Sequence, residues 1–561
     1  MAATDRTTTS GLVLTLLCLS STSWAALFSR GFNRTSPGGD SGLAAIDLSD
    51  HLGFAAAVSA PEKPDCDGPI RSSGEEEDVQ VPVAGAPDGG LPAAAILKLH
   101  LKHRSTAGSE GGGAAAAQRL MKESVVEAAH RDLHRIQTLH RRIAEGKNQN
   151  AQSRLAGRHH HHKEHRHQAT AREGPPREEK LAGQLLATIE SGASLHSGEY
   201  LADIFVGTPP RHFSVVLDTG SDLNWLQCLP CHDCYEQHGP RYDPALSSSY
   251  RPVPCADTRC RLVSSPDPPP HCQPSQPCPY FYWYGDRSNT TGDLALETFT
   301  VNLTGADAHR VENVIFGCGH WNRGLFRGAA GLLGLGRGPL SFSSQLRSLY
   351  GGVFSYCLVD RNSDLSVTSK LIFGQDPAVM ASPDLNFTSL VTGKENPADT
   401  FYYVQVKGVM VGGELLDIPP ETWELSPHDG LGGTIVDSGT TLSYFSGPAY
   451  PAIRDAVLRK VKGYPLAEGF PVLSPCYNVT GVDKVELPGL AVLFADGAVW
   501  GFPPENCFIR LEPEEVVCLA VLGTPPSAIS ILGNYQQQNF HVVYDAGRSR
   551  LGFAPATCAD L

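Results

Sequence analysis

No stretch of this chain is long and apolar enough to read as a membrane span. A spanning helix needs roughly 20 consecutive apolar residues, and no run approaches that. The one early apolar run, Gly11 to Leu19, is short, follows a start in which Asp5 offsets Arg6, and leads into small residues around Ser23–Ala26. That layout reads as a secretory signal, with a Ser/Thr-rich plastid transit peptide as the alternative. The final residues, "APATCADL", carry no hydrophobic tail, so no membrane association is expected once the signal is removed. Positive charge is in deficit as well: 45 Lys and Arg stand against 59 Asp and Glu, a net of −14. It is also unevenly spread. Residues 96–172 hold 15 Lys and Arg against 6 Asp and Glu, so a +9 segment precedes a remainder of −23. An acidic body argues against a nucleic-acid partner. The basic segment reads as an intramolecular partner of that body, with a hold that acid would weaken as carboxylates lose charge and histidines gain it. The glycine-rich "GLLGLGRG" lacks the Lys-Ser/Thr of a phosphate-binding loop, which removes nucleotide binding of that kind.

Cysteine, by contrast, is abundant. Thirteen of the 15 fall between Cys228 and Cys558, a density expected of an oxidising compartment. "CLPCHDC" could be half of a zinc site, but in this setting disulfides are the better reading. Five Asn-x-Ser/Thr sequons, at Asn33, Asn289, Asn302, Asn386 and Asn478, agree with secretion.

Residues 27 to about 95 are rich in Gly, Pro, Ala and acidic side chains without periodicity and read as disordered. After an extended "AAAILKLHLKHRS", the stretch from Arg119 to Gly146 places Leu133, Ile136, Leu139 and Ile143 on one side of a helix. "RHHHHKEHRHQ" follows, Arg158 to Gln168, and 11 of the 21 histidines lie between His100 and His167. A metal-binding tract is one reading, and an exposed, protonatable linker is preferred. Beyond about Leu185 the pattern becomes short β-type runs broken by Gly and Pro, with helices expected only in "SFSSQLRSLY" and "PAYPAIRDAVLRKVKGY". This is a mostly-β body.

Within that body one pattern occurs twice. "SVVLDTGSDLNW", Ser214 to Trp225, is echoed by "GTIVDSGTTLSY", Gly433 to Tyr444: an apolar strand, an Asp, a small hydroxyl residue, Gly, and Ser or Thr. Asp218 and Asp437 are 219 positions apart, and each is followed at a distance by an apolar-apolar-Gly run, "GLLGLG" at 331–336 and "ISILGN" at 529–534. A carboxylate at the end of an apolar strand is costly to bury alone. Two like carboxylates sharing a partly dry site hold one proton between them across a wide acidic range. The ionised partner can take a proton from water while the protonated one hydrogen-bonds a carbonyl oxygen. Gly220 and Gly439 leave room for tight turns, and Thr219, Ser221, Ser438 and Thr440 are placed to donate to the carboxylates or to brace the loops.

These residues resemble the pepsin-like aspartic proteases, over roughly Gly198 to Cys558. The resemblance implies a bilobal, mostly-β fold with the active-site cleft between two β-rich lobes, each lobe giving one Asp loop. It implies catalytic roles for Asp218 and Asp437. In "YFYWYGDRSNTTGD" it implies a flap carrying Tyr284, Gly285 and Asp286, with Trp225 as the tryptophan that hydrogen-bonds the flap tyrosine. Arg287 stands where the flap pattern commonly has a second Gly, and Arg there is strained if the position needs positive φ.

The cysteine-laden insertion between the first Asp and the flap is similar to that of the nepenthesin-like plant subgroup. That similarity implies the pairs Cys228–Cys231, Cys234–Cys318, Cys255–Cys278, Cys260–Cys272, Cys357–Cys558 and Cys476–Cys518, with Cys507 left over.

The resulting expectation is a signal peptide at 1–25, a propeptide at 26–185, an N-terminal catalytic lobe at 186–385 and a C-terminal lobe at 386–561. The protein would be a monomeric aspartic endopeptidase acting on proteins or peptides at acidic pH, partnered by its own propeptide, with no metal or organic cofactor. It would carry glycans at Asn289, Asn302, Asn386 and Asn478, and reside outside the cell or in the vacuole. The alternative is a catalytically silent binding or inhibitor-type relative on the same fold.

Overall fold

The computed structural model describes Ala129, Asp132, Leu133 and Ile136 and, apart from short stretches, residues 185–560. The stretch expected to be a signal, most of that expected to be a propeptide, with the histidine tract, Asn33, and Gly285, Asp286 and Arg287 lie outside the described residues.

The body is built mainly of strands. A 14-stranded sheet runs from Asn386–Ser389 through Arg550–Pro555, Phe540–Asp545 and Val353–Cys357 to the strands around Asp218, and ends with the long pair Asn289–Leu303 and Ala308–Arg323 and the short edge strand Arg251–Pro252. It therefore draws strands from both halves of the sequence. A five-stranded sheet holds Tyr402–Val404, Thr434–Val436, Ser530–Leu532, Ser443–Phe445 and Val521–Gly523. Helices are few. Ser341 caps a short turn Phe342–Gln345 by accepting the Ser344 N–H, and Gly351, at φ 73°, ends the next turn, Arg347–Tyr350. The longest described helix, Ala449–Lys460, buries Ala449, Ile453, Ala456 and Val457, one apolar stripe at helical spacing.

The sequence repeat is a structural repeat. The strand Arg211–Asp218 runs parallel to Gly331–Gly334 with Val216 beside Leu332 and Asp218 beside Gly334. The strand Thr434–Val436 runs parallel to Ser530–Leu532 with Val436 beside Leu532. The return strand crosses each pair antiparallel, placing Trp225 against Leu332 and Tyr444 against Ile531. The crossing is tight enough to demand glycine. A Cβ on Gly334 would sit 2.5 Å from the Asp222 backbone, and one on Gly533 would sit 2.2 Å from the Leu442 carbonyl oxygen. Both glycines are then tied sideways: Gly334 N–H donates to Asn224 Oδ1 at 3.1 Å and Gly533 N–H to Ser443 Oγ at 3.0 Å.

The disulfides correct part of the expected pairing. Cys357–Cys558 and Cys476–Cys518 are present and Cys507 is a buried free thiol. The other four pairs are exchanged: the structure joins Cys228 to Cys318, Cys231 to Cys234, Cys255 to Cys272 and Cys260 to Cys278. Strand register explains the first exchange. Trp225–Gln227 runs parallel to Ala308–Arg323 with Leu226 beside Cys318, and Cys228 N–H continues the ladder to Gly319 O at 2.9 Å. Cys228 and Cys318 thus come to a Cα separation of 5.3 Å, leaving Cys231 and Cys234 to close their own turn at 6.2 Å, both within disulfide reach.

Candidate active site

Asp218 and Asp437 are fully buried at the ends of their strands. Each is held in the same way by its own loop. Asp218 Oδ1 accepts the Gly220 N–H at 2.9 Å and Oδ2 the Ser221 hydroxyl at 2.5 Å; Asp437 Oδ1 accepts the Gly439 N–H at 2.9 Å and Oδ2 the Thr440 hydroxyl at 2.6 Å. One amide and one hydroxyl per carboxylate fix its plane and offset part of the desolvation.

Thr219 and Ser438 do something different: they tie the loops to each other. Thr219 N–H donates to Ser438 Oγ at 3.0 Å and Ser438 N–H donates to Thr219 Oγ1 at 2.9 Å, while the Ser438 hydroxyl donates to Leu217 O at 3.0 Å. The reciprocal pair spans 219 residues, the repeat distance itself. All six residues expected to support the loops are therefore at the two carboxylates.

The aromatic pair is also together. Trp225 Nε1 donates to the Tyr284 hydroxyl at 2.7 Å, both side chains being buried. Phe326 packs edge-on against both rings. Tyr284 stands at the end of the hairpin strand Pro279–Trp283, whose partner strand begins at Asn289, and its N–H closes the hairpin onto Ser288 O at 2.8 Å.

Four further features go beyond the residues that the motifs single out. Close to Asp437, Tyr356 donates to Gln537 Oε1 and meets the Tyr544 hydroxyl at 2.9 Å. Burial drives both phenols far up, and the nearby Asp437 carboxylate adds to it, so they remain neutral donors. Gln537 Nε2 completes the chain by donating to Leu532 O at 3.0 Å. Asp222, next to the first loop, accepts from Gly338 N–H at 2.8 Å and the Thr400 hydroxyl at 2.7 Å, linking the halves a second time. Asn224 and Ser443, which hold the two crossing glycines, are themselves 219 residues apart, a signal the repeat spacing could have yielded. Asp132 is the fourth: its Oδ2 accepts the N–H of Thr441 at 3.0 Å and of Leu442 at 3.1 Å.

Among the described residues no cluster of three or more His, Cys, Asp or Glu could hold a metal, and no helix is long and apolar enough to cross a membrane.

Comparison with known proteins agrees with this geometry. Residues 200–375 match the family model described as "Xylanase inhibitor N-terminal" and residues 401–555 the one described as "Xylanase inhibitor C-terminal". The chain is 42% identical to aspartyl protease family protein 2 of Arabidopsis thaliana over 67% of its length and 74% of that protein's. It is 38% identical to aspartic proteinase nepenthesin-1 of Nepenthes gracilis over 66% of its length and 80% of that protein's. Among solved structures it resembles EDGP with a TM-score of 0.56 at 21% identity, covering 67% of this chain and 96% of that one. It resembles basic 7S globulin from soybean with a TM-score of 0.53 at 22% identity, covering 68% and 98%. The chain belongs to the pepsin-like aspartic proteases, in their nepenthesin-like plant subgroup, and has their bilobal, mostly-β fold.

Proposed function

We propose that the protein is an aspartic-type endopeptidase that hydrolyses peptide bonds in proteins at acidic pH, using a water activated by Asp218 and Asp437. The observation that carries this reading is the reciprocal bracing of two like loops, Thr219 against Ser438, each presenting one buried, doubly bonded carboxylate. In the proposed reaction the ionised carboxylate takes a proton from the water as its oxygen attacks the scissile carbonyl carbon. The protonated carboxyl donates to the carbonyl oxygen. The tetrahedral intermediate then collapses with proton delivery to the leaving nitrogen, and no covalent enzyme adduct forms. Tyr284, held by Trp225, would close over the bound peptide as the flap residue, with Gly285 and Asp286 at its tip.

In the same reading residues 1–25 are a signal, 26–185 a propeptide, and 186–385 and 386–561 the two catalytic lobes of a monomer. The compartment would be the secretory route, ending outside the cell or in the vacuole. Of the sequons, Asn386 and Asn478 are exposed and suit glycans, whereas Asn289 is half-buried beside the flap.

The description of the matching family models favours a second reading, a silent binding or inhibitor-type protein. A pH–activity profile on a denatured protein substrate, with and without a statine-type inhibitor, separates the two. Inhibitor-sensitive cleavage at acid pH is expected. A folded, processed chain that cleaves nothing at any pH would leave the binding reading in its place.

A further inference from the structure

The hairpin that carries Tyr284 has an outer face that the proposed reaction leaves unused. Three neighbouring strands, Pro279–Trp283, Asn289–Leu303 and Ala308–Arg323, set two rows of side chains across it. In one row Thr291 lies between Phe281 and Trp321; in the next Asn289 lies between Trp283 and Arg323. Residues paired in this way share a face of the sheet, and burial shows which face it is. Tyr280, Thr290 and Asn322 point inward and are buried, with the Tyr280 and Thr290 hydroxyls 2.9 Å apart and Thr290 donating to Asn322 Oδ1 at 2.7 Å. On the outer face Trp321 is 46% and Phe281 39% exposed, and Trp283, Asn289 and Thr291 are half-buried.

The exposed indole is held in place. The His232 ring lies 4.6 Å from it at a tilt of 31°, and His232 N–H donates to His320 O at 2.9 Å. Arg323 is paired with Asp233 at 2.5 Å. Two large rings flanking one residue form a patch rather than scattered exposures, and a patch of that kind calls for a cover. The central strand says what the cover is. Asn289-Thr290-Thr291 is a sequon whose Asn and second Thr both stand on the outer face, each in the middle of a row. A sugar on Asn289 Nδ2 would have Trp283 as its direct neighbour and Phe281 and Trp321 as diagonal ones, about 7–8 Å away, within reach of large side chains. The ring C–H groups of a pyranose are slightly positive and suit the negative face of an aromatic ring.

We propose that this face seats an N-linked glycan on Asn289, with its first N-acetylglucosamine laid against Phe281 and Trp321. The glycan then ties together the three strands next to Tyr284 and slows the opening of that hairpin. The modification takes its sugar from a lipid-pyrophosphate-linked oligosaccharide. The bond from Asn289 Nδ2 to the sugar C1 forms as the C1–O bond breaks, the pyrophosphate leaves with the electron pair, and the amide loses one proton. Transfer takes place before the chain folds, so half-burial of Asn289 in the fold is no obstacle. The proposal rests on the secretory reading and is independent of catalysis.

The test uses the full chain secreted from cultured plant cells: wild type, Asn289→Gln, Thr291→Ala, Trp321→Ala, and Asn289→Gln combined with Trp321→Ala. Glycopeptide mass spectrometry reads occupancy at Asn289, Asn386 and Asn478, and amide exchange reads the hairpin strands. Asn289 is expected to be occupied, and exchange in the two hairpin strands to be about five- to tenfold faster in Asn289→Gln. Thr291→Ala, which removes the sequon but keeps Asn289, should match it and carries the comparison should Asn289→Gln fail to fold. In the Trp321→Ala background, loss of the glycan should add little. Trimming the wild-type glycan to one N-acetylglucosamine should leave the protection in place. An empty Asn289 beside an occupied Asn386 or Asn478 overturns the proposal and leaves secretion standing, whereas three empty sites overturn both. Equal exchange with and without the glycan also overturns it. So does an equal effect of Trp321→Ala in both backgrounds, because the aromatic face would then serve something other than the glycan.

Discussion

Four hydroxyls of similar chemistry divide into two jobs at the paired loops. Ser221 and Thr440 donate to the carboxylates of their own loops, while Thr219 and Ser438 lock one loop to the other. Replacing Thr219 with Val keeps the volume but leaves the buried Ser438 N–H without its acceptor, a cost of about 1–3 kcal/mol. Chemical denaturation should show that loss, and peptide cleavage should slow through kcat more than KM; unchanged stability would mean that the loops are held elsewhere. Trp225→Phe removes the donor to Tyr284 while keeping an aromatic ring, though a smaller one, against Phe326 and Tyr235. The expected result is a folded protein with kcat/KM for peptide cleavage lower by about tenfold, the value of one such bond. Thr219 and Ser438 are legible in the sequence because each follows its Asp in the repeated motif, and the Trp225–Tyr284 pair only because the family resemblance implies it. Tyr356, Tyr544 and Gln537 are not: they are bonded across 181 and 188 residues and sit in ordinary strand or loop contexts, so only the fold brings them close to Asp437.

The recurring element is an apolar strand, a turn at the carboxylate, and a second strand slotted between it and its return. Its existence was readable from two 12-residue echoes, each followed at a distance by an apolar-apolar-Gly run; the crossing itself comes from the fold. What the sequence could not supply is which residues the crossing compresses. Gly533→Ala puts a methyl group against the Leu442 carbonyl oxygen, whereas a Cβ on Gly501, in the strand Val499–Phe502, would meet nothing within 4 Å. Thermal unfolding should therefore find Gly533→Ala destabilised by about 3 kcal/mol or unable to fold, with Gly501→Ala close to wild type. Equal behaviour of the two would contradict the tight crossing. The cysteine insertion marks the limit at this scale. Its density implied disulfides, but Cys228, Cys231 and Cys234 are near-equivalent along the chain, and only the parallel register that sets Leu226 beside Cys318 decides among them.

The body as a whole is stitched across long sequence distances by its large sheet, by the loop pairing and by Cys357–Cys558, which joins residues 201 apart. Opening that disulfide by paired Ser substitutions should lower stability on the order of 4 kcal/mol if chain entropy dominates, read as a lower denaturation midpoint. Cys507 should behave oppositely, as a thiol that chemistry cannot reach: burial pushes it up to about 12. The folded chain keeps a proton that the unfolded thiol sheds near 8.5, so this group favours unfolding progressively from there up to about 12 and has no effect at acid pH. A thiol reagent at neutral pH should leave Cys507 unmodified until the protein unfolds. The central claim is that Asp218 and Asp437 work as one unit. It is tested most directly by kcat/KM for peptide cleavage in Asp218→Asn, Asp437→Asn and the double variant, each verified as folded. Groups that act together are strongly non-additive, so each single variant should lose as much activity as the double. A single variant that keeps a substantial share, with the two losses multiplying in the double, would contradict the shared dyad.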